Sequence, residues 1–140
     1  MKNQSIEKIQ SEILDELDEL DDWRERYDFI IDAGREMPSL PESCRIEENL
    51  INGCVSQLWV TSDFRDGRMV FQADSDSLFV KGLAAILIRI YSGQKPNEIL
   101  SSERNFLVES GIVAHLSPNR ANGAANLFRR ILRDSQANCG

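Results

Sequence analysis

The chain has 140 residues, enough for one domain with a real core, and 41% of them are hydrophobic, which excludes a disordered chain. Sixteen basic residues stand against 23 acidic ones, a formal net charge of −7. That balance excludes the broadly basic surface a nucleic-acid binder needs and suits a protein partner with a basic face.

Five apolar residues, Ile6, Ile9, Ile13, Leu17 and Leu20, recur at helical spacing and predict an amphipathic helix with a solvated acidic side. Asp22 and Glu25 have the spacing of a capping box and open a second helix, with Trp23, Tyr27, Ile30 and Ile31 on its apolar side. Gly34 lies near the end of that helix, and Pro38 and Pro41 stop it. Residues 37–53 then read as a long loop or partly extended segment, of a length that often serves function.

"VSQLWVTSDF" and "MVFQAD" read as two strands, with Asp66-Gly67 between them as a hairpin signal. "DSDSLFVKGLAAILIRIYSG" is the most apolar helix, capped by Ser75, Asp76 or Ser77 and closed by Gly93, and its broad apolar surface marks it as central. Pro96 opens a short helix, and "SSERNFLVESG" gives another that ends near Gly111. Ser117 and Pro118 begin the last helix, and "SQANCG" reads as a frayed tail. The order of elements predicts an α+β fold: one domain over residues 1–140, a small antiparallel β-sheet with helices packed on one face. The longest apolar run, "GLAAILIRIY", is too short for a membrane span and contains Arg89. The N-terminal segment lacks the apolar core and cleavage site of a secretory signal, so the expected location is cytoplasmic, with no membrane partner. Cys44, Cys54 and Cys139 form no CxxC and are expected as reduced thiols.

Chemistry centres on "NLINGCVSQLWV". Gly53 precedes Cys54 at the mouth of a strand, and Ser56 and Gln57 follow. A thiol reacts as thiolate, and with a reference pKa of about 8.5 only a small fraction is ionised at neutral pH unless cations or amides assist. A glycine there suits a tight turn or the close approach of a partner. The local pattern leaves two readings open: a cysteine that must be reached, or a small hydrophobe under a loop. His115, the single histidine, is either a base for Cys54 or a structural residue. Cys44, Cys54 and His115 match no zinc spacing, and neither a phosphate loop nor a calcium loop is present, so no metal is expected.

Taken together, "INGCVSQLWV", "DSDSLFVKGLAAIL" and "HLSPNRANG" resemble the SufE family, which includes CsdE. The similarity runs from "DDWRERYDFIIDAGREMPSLP" to the last helix, nearly the whole chain. The resemblance implies a sulfur acceptor of iron–sulfur cluster assembly, with the small-sheet fold shared with IscU-type scaffolds. In that family a pyridoxal-phosphate (PLP) cysteine desulfurase, of the SufS or CsdA type, carries a persulfide. The acceptor cysteine, Cys54 by motif, attacks its outer sulfur, frees the desulfurase for another turnover, and passes the sulfur to a cluster scaffold. The chain is then a transfer partner and not an enzyme in its own right. It needs no resident cofactor, since the PLP belongs to the desulfurase, and it is expected as a monomer or weak homodimer.

By the same resemblance Asp76 falls in a D-S-D element and Arg120 in an S-P-x-R element. Arg120 either supplies positive charge near the sulfur or ties the last helix to the loop. Asp76 is expected first as a helix cap, Gly53, Ser56 and Gln57 as supports of the loop, Trp59 as core packing, and Lys81 as a solvated head on a buried stem. A loop that moves Cys54 between sheltered and exposed positions fits Gly53 and the long preceding segment. The rival readings are an IscU-like cluster scaffold or metal-binding protein, a redox enzyme using Cys44 with Cys54, and an adaptor that docks without transferring sulfur.

Overall fold

A computed structural model describes residues 4–53, 56–102 and 105–139, and within them the chain forms six α-helices and one β-hairpin. Helix α1, Ile6–Asp18, starts where Ser5 Oγ accepts a hydrogen bond from Lys8 N–H, and it buries Ile6, Ile9, Ile13 and Leu17. Helix α2, Trp23–Glu36, is capped by Asp22, which accepts from Glu25 N–H at 2.9 Å. The Glu25 carboxylate reaches back to the N–H of Asp21, one residue earlier than in the usual box.

Strands β1, Leu58–Arg65, and β2, Arg68–Ser75, pair antiparallel from Leu58 opposite Ser75 to Arg65 opposite Arg68. The turn between them places Asp66 at φ 52° and Gly67 at φ 78°, the paired left-handed conformation that two-residue hairpins favour. Alternation along the strands sends Leu58, Val60, Met69, Phe71 and Ala73 into the main core and turns Trp59 and Asp74, which face each other in register, to the opposite side. Trp59 is buried, but away from the main core where the sequence places it; the segment before β1 covers it, with the Arg45 guanidinium 5.3 Å from its ring centroid.

That segment is the expected long loop, and it is pinned. It contains two 3-10 turns, Glu42–Cys44 and Glu47–Asn49. Leu40 and Ile51 are buried, and Leu50 bridges to Trp59, extending the sheet by one short edge.

Helix α3, Leu78–Tyr91, is the central element, buried nearly all round and packed on α1, α2, β2 and helix α6, Pro118–Ala137. Its crossing with α2 depends on two glycines. A Cβ on Gly82 would run into the Ile30 carbonyl, and one on Gly34 would lie 2.7 Å from the Leu78 oxygen. Gly34 therefore sits inside α2 to admit α3, and the helix ends at Glu36, before Pro38. Helices α4, Pro96–Ser101, and α5, Phe106–Glu109, lead to α6, which Ser117 caps and Pro118 opens. The predicted frayed tail is helical as far as Ala137, and the buried Ser135 donates its hydroxyl to Ile131 O. The result is the α+β arrangement expected, helices on one face of a small antiparallel sheet. Among the described residues no helix is long and apolar enough to cross a membrane.

Candidate functional site

Asn52 and Gly53 form the turn that leads to Cys54, and polar clamps hold the chain on either side of it. Cys54, the acceptor by motif, and Val55 lie outside the described residues. On the entry side, Ile51 N–H bonds Leu58 O at 2.8 Å, and Asn126 of α6 donates its side-chain amide to Asn52 O at 2.6 Å. Arg129 bonds Asn126 Oδ1, also at 2.6 Å, which orients that amide so its NH₂ faces the turn. One turn further along α6, Arg130 reaches Glu48 O and Leu50 O at 3.2 and 3.4 Å. Gly53 is exposed at φ 84°, and a Cβ there would collide with the Asn126 amide. Gly53 is thus required twice, by conformation and by space.

On the exit side the clamp is the D-S-D element at the end of β2. Gln57 N–H donates to Asp76 Oδ1 at 3.0 Å, while Gln57 O accepts from Ser75 Oγ at 2.6 Å and from Asp76 N–H at 3.2 Å. The cap of α3 is Ser77, whose Oγ accepts from Val80 N–H. Asp76, expected first as the cap, is instead a clasp on the residue after the turn. Ser56 is half-buried, and Gln57 is exposed and held through its backbone.

Arg120 lies in the first turn of α6, with its guanidinium 4.6 Å from the Phe79 ring centroid; Tyr27 stacks on the same ring at 4.6 Å. It ties α6 to the start of α3, six residues and roughly 9 Å along the helix axis from Asn126. His115 stacks on Trp23 at 4.2 Å, a structural contact that the sequence does not specify. Cys44 is half-buried in its 3-10 turn, where Asn49 bonds its carbonyl, and Cys139 is exposed. Among the described residues no three histidine, cysteine or carboxylate side chains are grouped for a metal.

Behind the clasp lies a group the sequence reading passed over. Asp74 is 1% exposed and accepts from Leu40 N–H at 2.9 Å, Arg45 Nη2 at 2.7 Å and Ser75 N–H at 2.9 Å. Lys81 Nζ lies 3.5 Å from Asp74 Oδ1, the oxygen that the Ser75 N–H bonds, and 3.3 Å from Ser39 Oγ, so the Lys81 head is buried against a carboxylate and not solvated as expected. Burial pushes the Asp74 carboxyl up, but the Leu40 N–H, the Arg45 guanidinium, the Ser75 N–H and the Lys81 charge outweigh it and hold the group below the ordinary carboxylate value. The signal was present in the strand period, which sets Asp74 opposite Trp59. Its partners are 29 and more residues away in Arg45 and Leu40.

The same architecture occurs in a solution structure of a hypothetical protein from Thermus thermophilus, with a TM-score of 0.76 over 92% of this chain and 94% of that one; at 18% identity this is a likeness of fold. An uncharacterised SufE-like protein of Rhizobium meliloti is 36% identical over 130 residues, covering 89% of this chain and 93% of its own length. A second, from Synechocystis, is 34% identical and covers 94% of this chain and 82% of its own. The family model described as SufE, Fe-S metabolism associated domain, matches residues 11–135 and so spans both clamps, the turn between them and the Asp74 cluster behind. On that match, and on relatives that align along nearly their whole length, the chain belongs to the SufE family.

Proposed function

We propose that the chain is a sulfur acceptor that takes persulfide sulfur from a cysteine desulfurase onto Cys54 and passes it to a partner in iron–sulfur cluster assembly. The observation that carries this reading is the pair of clamps on Asn52 and Gln57. They fix the described residues on either side of Cys54 and leave Gly53 exposed. A thiol exchanging sulfur with another protein needs that arrangement, because attack on a persulfide requires an in-line approach and docking must find the turn in one place.

The chemistry is an exchange of one sulfur bond for another. The Cys54 thiolate attacks the outer sulfur of the desulfurase persulfide. A new S–S bond forms on Cys54, the old one breaks, and the desulfurase cysteine leaves as thiolate. No net oxidation or reduction occurs, and removing the sulfur frees the desulfurase for another turnover, which is how the acceptor stimulates it. The PLP that releases sulfur from free cysteine belongs to the desulfurase, and this chain needs no cofactor of its own. Reduced thiols in the cytoplasm suit a nucleophile of this kind.

The test is mass spectrometry of the intact protein and its peptides after incubation with desulfurase, PLP and cysteine, without reductant. Added sulfur on Cys54 that is absent from Cys54→Ser supports the reading. Desulfurase stimulation with no sulfur gained, or stimulation that survives Cys54→Ser, overturns it in favour of an adaptor that docks without transfer.

A further inference from the structure

The chain carries a formal charge of −7, yet the cleft beside the turn is cationic. It has a volume of about 250 Å³ and is lined by Ile51, Asn52, Asn126, Arg129, Arg130 and Arg133, with no carboxylate among them. The three arginines follow Asn126 along one side of α6. Arg129 and Arg130 bond neutral oxygens, those of Asn126, Glu48 and Leu50, so their charges are not cancelled by those contacts. Arg133 pairs with Asp134, but its side chain is 68% exposed and this pair is open to solvent and competitors. A second cleft shares Arg130 and Arg133 and runs past Ser62 of β1, but it is also lined by Glu48 and Asp134, so the cationic part is confined to the first.

The Arg129 and Arg130 guanidinium groups, whose contacts among the described residues are to neutral oxygens, present forked donors that match carboxylates. From this we propose that the Arg129–Arg133 cleft docks an acidic segment of the protein that receives sulfur from the turn. The inference rests on the sulfur-acceptor reading for the identity of that partner. The sign of the charge separates the two partners. The acidic remainder of the surface attracts a donor with a basic face, and such a face is repelled by the cleft. A recipient carrying carboxylates near its cysteine is attracted to the cleft and brought directly beside Asn52 and Gly53.

The experiment compares two short peptides, each with one cysteine, flanked by aspartates in one and by lysines in the other, binding to the unloaded chain by fluorescence anisotropy at low salt. A protein of this net charge favours the lysine peptide unless a local cationic site overrides it. The expected result is that the aspartate peptide binds about tenfold tighter, as two or more exposed guanidinium–carboxylate pairs allow. Arg129→Glu with Arg133→Glu removes that preference. Arg35→Glu with Arg65→Glu, an equal change of net charge at exposed arginines elsewhere, leaves it in place. Circular dichroism confirms that both double variants fold. Preference for the lysine peptide, no preference, or equal effects of the two double variants overturns the proposal. Free aspartate binding as tightly as the aspartate peptide overturns it too, and marks the cleft as a small-anion site. Sulfur loading of the same samples is scored separately. A cleft that passes while Cys54 takes up no sulfur remains an acidic-segment site, and the sulfur-acceptor reading alone fails.

Discussion

Removing the Asp76 carboxylate isolates the exit clamp from the rest of the fold. In Asp76→Ala the Gln57 N–H loses its acceptor at 3.0 Å, while Gln57 O keeps Ser75 Oγ and the backbone N–H of residue 76. A hydrogen bond from a backbone amide to an ionised carboxylate contributes about 1.5–3 kcal/mol when shielded, and this one is exposed, so about 1 kcal/mol is the appropriate size. That corresponds to about a fivefold rise in the open population of Gln57, since RT is about 0.59 kcal/mol. Amide hydrogen exchange reads it directly: the Gln57 amide exchanges about fivefold faster, and Thr61, paired with Gln72 inside the hairpin, keeps its rate. Asp76→Asn keeps an oxygen acceptor without the charge and falls between, near twofold. If the turn must be presented in one place, sulfur loading on Cys54 slows by up to the same factor of about five. Unchanged exchange at Gln57, or equal acceleration at Gln57 and Thr61, refutes the claim that this carboxylate holds the turn locally.

Gly53→Ala adds a left-handed non-glycine residue and a Cβ against the Asn126 amide; a loss of about 1–2 kcal/mol is expected in urea unfolding, together with slower sulfur loading. Gly82→Ala forces α3 off the Ile30 carbonyl and is expected to lose about 3 kcal/mol, whereas Gly67→Ala, in open space at φ 78°, loses only the backbone part, about 1 kcal/mol. Asp74→Asn tests the buried carboxylate by pH. Because its folded pKa lies below its unfolded value near 3.8, the charge contributes fully above that value and its contribution is lost as pH falls through the folded pKa. The wild type is therefore expected to exceed Asp74→Asn by about 3 kcal/mol at neutral pH, with the gap closing as pH falls below the unfolded value near 3.8; a gap that does not change with pH refutes it. Stimulation of the desulfurase is expected to weaken as salt rises, and stimulation indifferent to salt removes the electrostatic steering of a basic-faced donor toward this chain.

The elements that were legible in the sequence are those whose causes are local. Ser5, Asp22, Ser77 and Ser117 each cap a helix from within three residues, Pro118 opens α6, and Asp66-Gly67 supplies the two left-handed residues of its own turn. What was hidden depends on partners far apart in the chain. Nothing near Gly34 announces that Gly82 will lie against it, since each glycine has meaning only in the presence of the other helix. Asn126 and Arg130 read as ordinary polar residues of the last helix until the fold brings Asn52 and Leu50, 74 and 80 residues earlier, beneath them. Asp76 reads in the sequence as a cap, because capping is what an aspartate before a helix does by itself. Its actual contact is across 19 residues.

The end of β2 joins these long-range contacts into one device. Four consecutive residues carry three tasks: Asp74 holds the segment before the turn through Leu40 and Arg45, Ser75 and Asp76 hold the residue after the turn, and Ser77 starts the central helix. Approach and exit of the turn are thereby referred to the same strand end, which is itself fixed by the eight residue pairs of the hairpin and by α3. Yet the tasks are carried by different atoms, and their burial differs. Asp74 is enclosed, so its loss falls on global stability; Asp76 is exposed, so its loss falls on the local opening of the turn. The two substitutions should therefore separate cleanly. Asp74→Asn lowers the unfolding free energy while Gln57 exchange relative to the global rate changes little. Asp76→Ala accelerates Gln57 while the unfolding free energy moves by no more than about 1 kcal/mol. A turn whose position is set by the strand end requires that pattern. A turn positioned by the preceding segment alone requires the reverse, with Asp74→Asn freeing Gln57 and Asp76→Ala leaving it protected.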